Sequence, residues 1–250
     1  MSNSIELERK MLLTKSVAEA LITEFESNGT VANKDVIEQN YLFKENAEVK
    51  YDCVFDNWTI TLKTTEGSID YSFKEKNHPE TARLLFSEYQ GLDLLDLKCA
   101  SRIRMKNNVP IFTFKMPIGN GKLGDYEFED DISEAVKNSL FFKKFIEEDP
   151  YKVIKNRVSI VNNGLKYEFD NFKNVDLSEI HKSQNLRDLG SNDLCLLEIE
   201  FDNEVDYNAF EADFNCIDVS GTAGFGNKGM AKKNGKKENL EKTKKKGFKW

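Results

Sequence analysis

Ile5-Glu6-Leu7-Glu8-Arg9-Lys10-Met11 is the stretch whose reading decides the fold. Strand alternation puts Glu6, Glu8 and Lys10 on one face and Ile5 and Leu7 on the other. Two carboxylates side by side repel, so a strand that presents them together calls for cations close by. Same-sign pairs at the same spacing recur later: Arg102 and Arg104, Glu127 and Glu129, Lys155 and Arg157, Glu168 and Asp170, Glu198 and Glu200. In a chain with 43 acidic residues such pairs also arise by chance. Their setting is less easily accidental, because the alternate positions are apolar: Tyr126 and Phe128, Tyr167 and Phe169, Leu197 and Ile199. A sandwich with solvated outer faces is one reading. The other is a single enclosed charged cavity, with carboxylates for a divalent metal and cations for a polyanion. Segregation of sign strand by strand favours the cavity, since solvated faces usually mix signs.

The rest of the pattern supplies the frame. A helix is expected from Thr14 to Asn28, with Ser16 and Glu19 as a capping box and Val17, Ala20, Leu21 and Phe25 inward. A strand follows over Val36–Phe43, then a hairpin of Trp58–Thr64 and Ser68–Lys74, then a helix from Pro79 to about Tyr89. Cys99–Lys106 and Pro110–Met116 flank Asn107-Asn108, and Val153–Val161 and Leu165–Phe169 flank Asn162-Asn163-Gly164; both read as hairpins. Between them Gly119, Gly121 and Gly124 mark a loop before a strand over Asp125–Ile132, and Ser133–Glu148 reads as one helix stopped by Pro150. Asp176 caps a short helix that ends at Gly190, Leu194–Phe201 is the last clear strand, and Asp206–Asn215 is helical. From Gly221 onward glycine and lysine dominate and no periodic element is expected. The fold class is α+β, a mainly antiparallel sheet with helices outside it.

Composition bounds the function. Of the 250 residues, 39% are hydrophobic and 32% charged, and no apolar run approaches the roughly 18 residues of a membrane helix. Met1-Ser2-Asn3-Ser4 does not open a signal peptide, and Cys53, Cys99, Cys195 and Cys216 show no zinc spacing. These features suggest a cytoplasmic protein with buried thiols and no membrane partner. The net charge of −7 is uneven: residues 228–250 hold ten lysines and two glutamates, which leaves 26 basic and 41 acidic residues, a net of −15, for the remainder. The body repels nucleic acid while the tail attracts it. His78, His181 and Trp58 are read as surface or core residues, not as chemistry.

Glu6-x-Glu8-x-Lys10 resembles the ExExK signature of the CYTH superfamily, the triphosphate tunnel metalloenzymes. The later elements are similar in order. Arg102-Ile103-Arg104 resembles the family's RxR strand, and Phe114-Lys115-Met116-Pro117 its next strand with a single lysine. Tyr126-Glu127-Phe128-Glu129 falls where the family carries an acidic strand. Lys155 and Arg157 resemble its second basic strand, Glu168-Phe169-Asp170 the acidic strand after it, and Leu197-Glu198-Ile199-Glu200 its late ExE strand. Asn227-Lys228 resembles a lysine near the family's C-terminus. Two departures stand out: residues 45–98 are long for the position, as if a hairpin and helix were inserted, and Asp125 stands where many members have arginine. No His-Phe-Arg-Asp-Phe segment of the class IV cyclases is present.

The resemblance implies an eight-stranded antiparallel barrel, a triphosphate tunnel, over residues 1–233, while the like charge and missing periodicity of 234–250 read as a basic disordered tail. It implies Mg2+ or Mn2+ held by Glu6, Glu8, Glu168, Asp170, Glu198 and Glu200. The substrate's phosphates would be gripped by Lys10, Arg102, Arg104, Lys115, Lys155, Arg157 and Lys228. Lys10, Glu127 and Glu129 would serve catalysis. The implied activity is hydrolysis of tripolyphosphate, thiamine triphosphate or a nucleoside triphosphate, with an RNA 5′ end less favoured. A class IV-type adenylyl cyclase and a non-catalytic nucleotide- or polyphosphate-binding protein are the alternatives.

Overall fold

A computed structural model describes residues 5–28, 30–64, 67–77, 79, 82–83, 100–117, 125–180, 189, 193–222 and 224–247. The chain divides into two compact units, each assembled from segments distant in sequence. One comprises Glu6–Glu38 and Val153–Met230; the other comprises Met1–Ile5, Gln39–Lys152 and Ala231–Trp250.

In the first unit, β1 (Ile5–Thr14) lies between β11 and β12 in an antiparallel arrangement of order β9-β10-β11-β1-β12. Here β9 is Lys152–Asn162, β10 Leu165–Phe172, β11 Leu194–Phe201 and β12 Ile217–Asp218. The β9–β10 turn has Asn163 at φ 51° and Gly164 at φ 81°. Both lie in the left-handed region that a two-residue hairpin turn demands, so Asn-Gly is the expected chemistry. One face of this sheet is apolar. Leu7, Met11, Leu13, Ile160, Phe169, Cys195, Leu197 and Ile199 are buried there with Ala18 and Phe25 of α1 (Lys15–Ser27). Helix α1 starts earlier than its capping-box pattern suggests: Thr14, not Ser16, is the N-cap and accepts from the Val17 amide, and Ala18 replaces Ala20 on the inner face.

In the second unit, β6 (Ala100–Lys106), β7 (Val109–Pro117) and β8 (Asp125–Asp131) form an antiparallel meander. Asn107 and Asn108, at φ 49° and 67°, make its first turn. A second meander joins β3 (Glu48–Val54), β4 (Asn57–Thr64) and β5 (Gly67–Lys74). The expected insertion is thus three strands rather than a hairpin; its helix from Pro79 falls mostly outside the described residues. Val49, Trp58, Ile60, Leu62 and Phe73 share one core with Ile103, Phe112, Phe114, Phe142 and Phe145. The single helix expected over Ser133–Glu148 is two, α2 (Glu134–Lys137) and α3 (Leu140–Glu148). The Ser139 hydroxyl explains the break: it accepts from the Phe142 amide and donates to the Val136 carbonyl, competing with the helix ladder. The chain passes between units along β2 (Asn33–Tyr41).

Helices α4 (Leu177–Ile180) and α5 (Glu204–Ala209) are short. The basic C-terminal stretch, expected to be disordered from residue 234, instead carries the 21-residue helix α6 (Asn227–Gly247). The expected class, α+β with antiparallel strands and helices, is observed. Among the described residues neither unit by itself closes into an eight-stranded barrel. Cys195 is buried as expected but Cys53 is exposed, and Cys99 lies outside the described residues. No described helix is long and apolar enough to cross a membrane.

Candidate functional site

The face of each main sheet that turns away from its apolar core carries an array of charge. In the β6–β8 meander, register aligns Arg102 with Thr113 and Thr113 with Glu129, while Lys115 pairs with Glu127. Ile103, Phe112 and Phe114 alternate into the core, which forces their neighbours to the other side. Arg102 Nη2 donates to Glu127 Oε1 at 2.8 Å, and its Nη1 donates to the Tyr41 hydroxyl at 3.1 Å. That hydroxyl in turn donates to Gln39 Oε1 at 3.2 Å. Arg104 Nη1 lies 3.0 Å from Glu129 Oε1, Lys115 Nζ lies 3.2 Å from Glu127 Oε2, and Thr113 donates to Glu129 at 2.9 Å. Arg102 is buried, which opposes its charge, but Tyr41 and Glu127 outweigh that effect and its pKa is raised. Burial, then repulsion from Glu127, raises the Glu129 carboxyl. The Nε donors of both arginines are buried and have no partner among the described residues. Among the described side chains three cations therefore face two carboxylates, and two guanidinium N–H groups have no partner.

The second array lies on β1, β9, β10 and β11. Register aligns Lys10 with Glu198 and Glu198 with Glu168, and aligns Glu8 with Glu200 and Glu200 with Lys166. Lys10 Nζ sits 2.7 Å from Glu8 and 2.6 Å from Glu198. Arg157 is the hub: its Nη2 reaches Asp170 at 2.6 Å and Glu198 at 2.5 Å, and its Nη1 contacts Glu168. Lys155 is fully buried against Asp170, and Lys166 bridges Glu168 at 2.7 Å and Glu200 at 2.8 Å. Burial disfavours charge on Lys10, Lys155, Arg157 and Glu198, and the outcome depends on partners. Glu198, surrounded by Lys10, Lys155 and Arg157, is held well below the usual carboxylate range. Lys10 and Arg157 are raised by their carboxylates in spite of burial. Lys155 goes the other way: burial and the neighbouring Arg157 lower it to about 8. Among the described side chains four cations meet five carboxylates, so this array is acidic where the first is basic.

Arg102, Arg104, Lys115, Glu127 and Glu129 are thus together in one unit, and Glu8, Lys10, Lys155, Arg157, Glu168, Asp170, Glu198 and Glu200 in the other. Glu6 lies on β1 two residues before Glu8, but its side chain is outside the described residues. Lys228 lies in the first turn of α6, half-buried, in the unit of the acidic array. Sequence reading missed Lys166, Tyr41 and Thr113. Lys166 was detectable, because Lys166-x-Glu168-x-Asp170 continues the same spacing; Tyr41 was not, since only tertiary packing brings it to Arg102. Among the described residues no three His, Cys, Asp or Glu side chains converge as a ready metal cage. Cations occupy the carboxylates instead. The donor set nonetheless suits a hard divalent ion: it is all oxygen, it shares one sheet face, and it exceeds its cations.

No protein-family model matches the chain, and no curated protein sequence matches it. Solved structures do match. An inorganic triphosphatase aligns over 90% of this chain and 93% of its own, at 17% identity and a TM-score of 0.40. A protein from Bacillus halodurans, proposed to be an adenylate cyclase, aligns over 83% of this chain and 86% of its own, at 14% identity and a TM-score of 0.43. A Pyrococcus horikoshii protein aligns over 81% and 82%, at 16% identity and a TM-score of 0.40.

Proposed function

We propose that the chain is a metal-dependent hydrolase of a triphosphate-bearing small molecule. The observation that supports it best is the unequal charge of the two arrays, with the unanswered Nε donors of Arg102 and Arg104 in the basic one. A buried guanidinium donor without a partner is a standing cost of about 1–3 kcal/mol, more for charged groups, and a phosphate oxygen removes it. Arg102, Arg104 and Lys115 are suited to phosphate, the arginines because their planar forks bind two oxygens at once. At an effective dielectric near 20, a cation about 4 Å from a phosphate charge gives roughly 4 kcal/mol of gross attraction before desolvation.

Glu8, Glu198 and Glu200, with Glu168 or Asp170 and with Glu6 by continuity of β1, would hold Mg2+ or Mn2+. A divalent ion held there would supply Lewis-acid stabilisation of charge developing on phosphate oxygens. Lys10, Lys155 and Arg157 hold the Glu198 carboxyl well below the usual carboxylate range and add positive charge beside it. Glu129, with its raised carboxyl pKa, and Glu127 are the groups suited to orient an attacking water in the basic array. Phosphoryl transfer asks little covalent chemistry of the protein, so fixed charge and positioning carry most of the work.

The test is incubation with tripolyphosphate, thiamine triphosphate and nucleoside triphosphates in Mg2+ or Mn2+, resolving phosphate, pyrophosphate and cyclic nucleotide. Metal-dependent release of phosphate is expected, and Arg104→Ala should weaken tripolyphosphate binding far more than orthophosphate binding. Binding without turnover across the panel would replace this reading with sequestration, and cyclic products would replace it with cyclisation.

A further inference from the structure

Helix α6 begins in packed structure and ends in a lysine-rich run. Ala231 is fully buried, and Gly235 lies against the Tyr151 ring so closely that a Cβ would overlap it. Asn234 donates to the Lys152 carbonyl at 3.0 Å, and Asn239 donates to the Tyr151 hydroxyl at 3.2 Å. Contacts at 231, 234, 235 and 239 recur at helical spacing and define one docked face. A solvated tail needs no such fixing. Residues 236–241 are exposed, and the helix then runs on through Lys242, Lys244, Lys245 and Lys246.

Left to itself this sequence is a poor helix. Lysines four apart, at 232 and 236, 233 and 237, and 242 and 246, each destabilise it by about 0.2–0.5 kcal/mol. Beyond the docked face the only apolar side chain before Gly247 is Leu240, so the exposed turns have no apolar stripe. The missing stripe argues against insertion at a membrane surface, which needs a buried apolar face. A partner that neutralises the lysines without asking for apolar contact fits better.

We infer that the exposed turns of α6 bind the phosphodiester backbone of nucleic acid, at a place distinct from the two charged arrays and independent of their proposed chemistry. Lys236 and Lys237, in the exposed turn next to the docked face, are the contacts, and the sequence supplies further lysines at 242 and 244. Gly235 and Tyr151 fix the part of the helix that carries Lys236 and Lys237. The remainder of the chain, with its net charge of −15, repels the same polymer and confines it to the helix. Binding should be strongly salt-dependent and indifferent to sequence.

The experiment uses fluorescence anisotropy with a short single-stranded RNA and the matching DNA, both with 5′-hydroxyl ends so that no triphosphate takes part. The full chain is compared with Lys236→Gln/Lys237→Gln/Lys242→Gln/Lys244→Gln, which keeps the docked face, and with the chain truncated after Lys233. The quadruple variant should lose about tenfold or more in affinity at low salt and about 2–3 units of log–log salt slope. Its thermal midpoint and its turnover of a small triphosphate should not change. Sedimentation with anionic phospholipid vesicles is the control arm. Equal affinity of the variant and the full chain for both nucleic acids would overturn the inference. So would vesicle binding that the quadruple substitution abolishes while nucleic-acid binding persists.

Discussion

Glu198 shows how far the environment of one carboxylate can invert an expectation drawn from spacing. Glu198 and Glu200 on one strand look like a repelling pair that a neutral substitution would relieve. In the structure Lys10 and Arg157 hold Glu198 from both sides at 2.6 and 2.5 Å. Glu198→Gln should therefore destabilise the metal-free protein, by about 3–5 kcal/mol if the stranded cations do not relax. Chemical denaturation in chelator checks the sign; an unchanged or raised midpoint would mean that the pairing is not maintained in solution. Lys155 supports a second prediction. Its folded-state pKa of about 8 lies below its ordinary value of 10.5. Between those values the unfolded chain keeps a proton that the folded chain has released, so this residue makes stability rise with pH. Below pH 8 both states carry the proton and the burial penalty on the charged lysine is fully felt. The stability difference between wild type and Lys155→Met, measured by urea titration in chelator, should shift toward wild type from pH 8 to pH 10. A flat difference would refute the depressed pKa.

At the scale of elements, two glycines that look alike in sequence act through different physics. Gly164 holds a left-handed turn at φ 81° in open space, so substitution there is penalised by the backbone alone. Gly235 sits inside a helix, where alanine ordinarily gains about 1 kcal/mol. Here the Tyr151 ring occupies the place of the new methyl group, and the sign reverses. Gly235→Ala should lower the thermal midpoint, and circular dichroism melting of the full chain measures it; a rise would show that α6 does not dock on Tyr151.

For the whole molecule, the arrays make a joint claim about ligands. An acidic array with one carboxylate in excess should gain stability from a divalent cation, and a basic array with unanswered donors should gain it from a polyphosphate. Millimolar Mg2+ and tripolyphosphate should each raise the thermal midpoint of the wild type, as any ligand of the folded state does. Glu200→Gln should reduce the Mg2+ response and spare much of the tripolyphosphate response, whereas Arg104→Ala should do the reverse. Identical losses from both substitutions would count against separate metal and phosphate functions.

Strand alternation was enough to assign β1, the β6–β7 and β9–β10 hairpins and β11, because period-two burial and Asn-Asn or Asn-Gly turns are local properties of the chain. The same alternation marked twelve residues of the two arrays before any coordinates, from Glu8 through Glu200, since one buried face dictates where the charged face lies, while Lys115 followed only from the family resemblance. What it could not supply was the partner of each charge. Arg157 meets Asp170, Glu168 and Glu198 across three strands, and Arg102 meets Tyr41 61 positions away, contacts that exist only once register is set. Ser139 breaking a helix and Gly235 admitting a tyrosine ring were equally invisible in the pattern. Helix α6 is the plainest case: its lysines argue against a packed helix, and only the docking of one face on Tyr151 and Lys152 gives it a place. Local periodicity fixes which face of an element is apolar, whereas the pairing of charges and the order of marginal segments depend on neighbours remote in sequence.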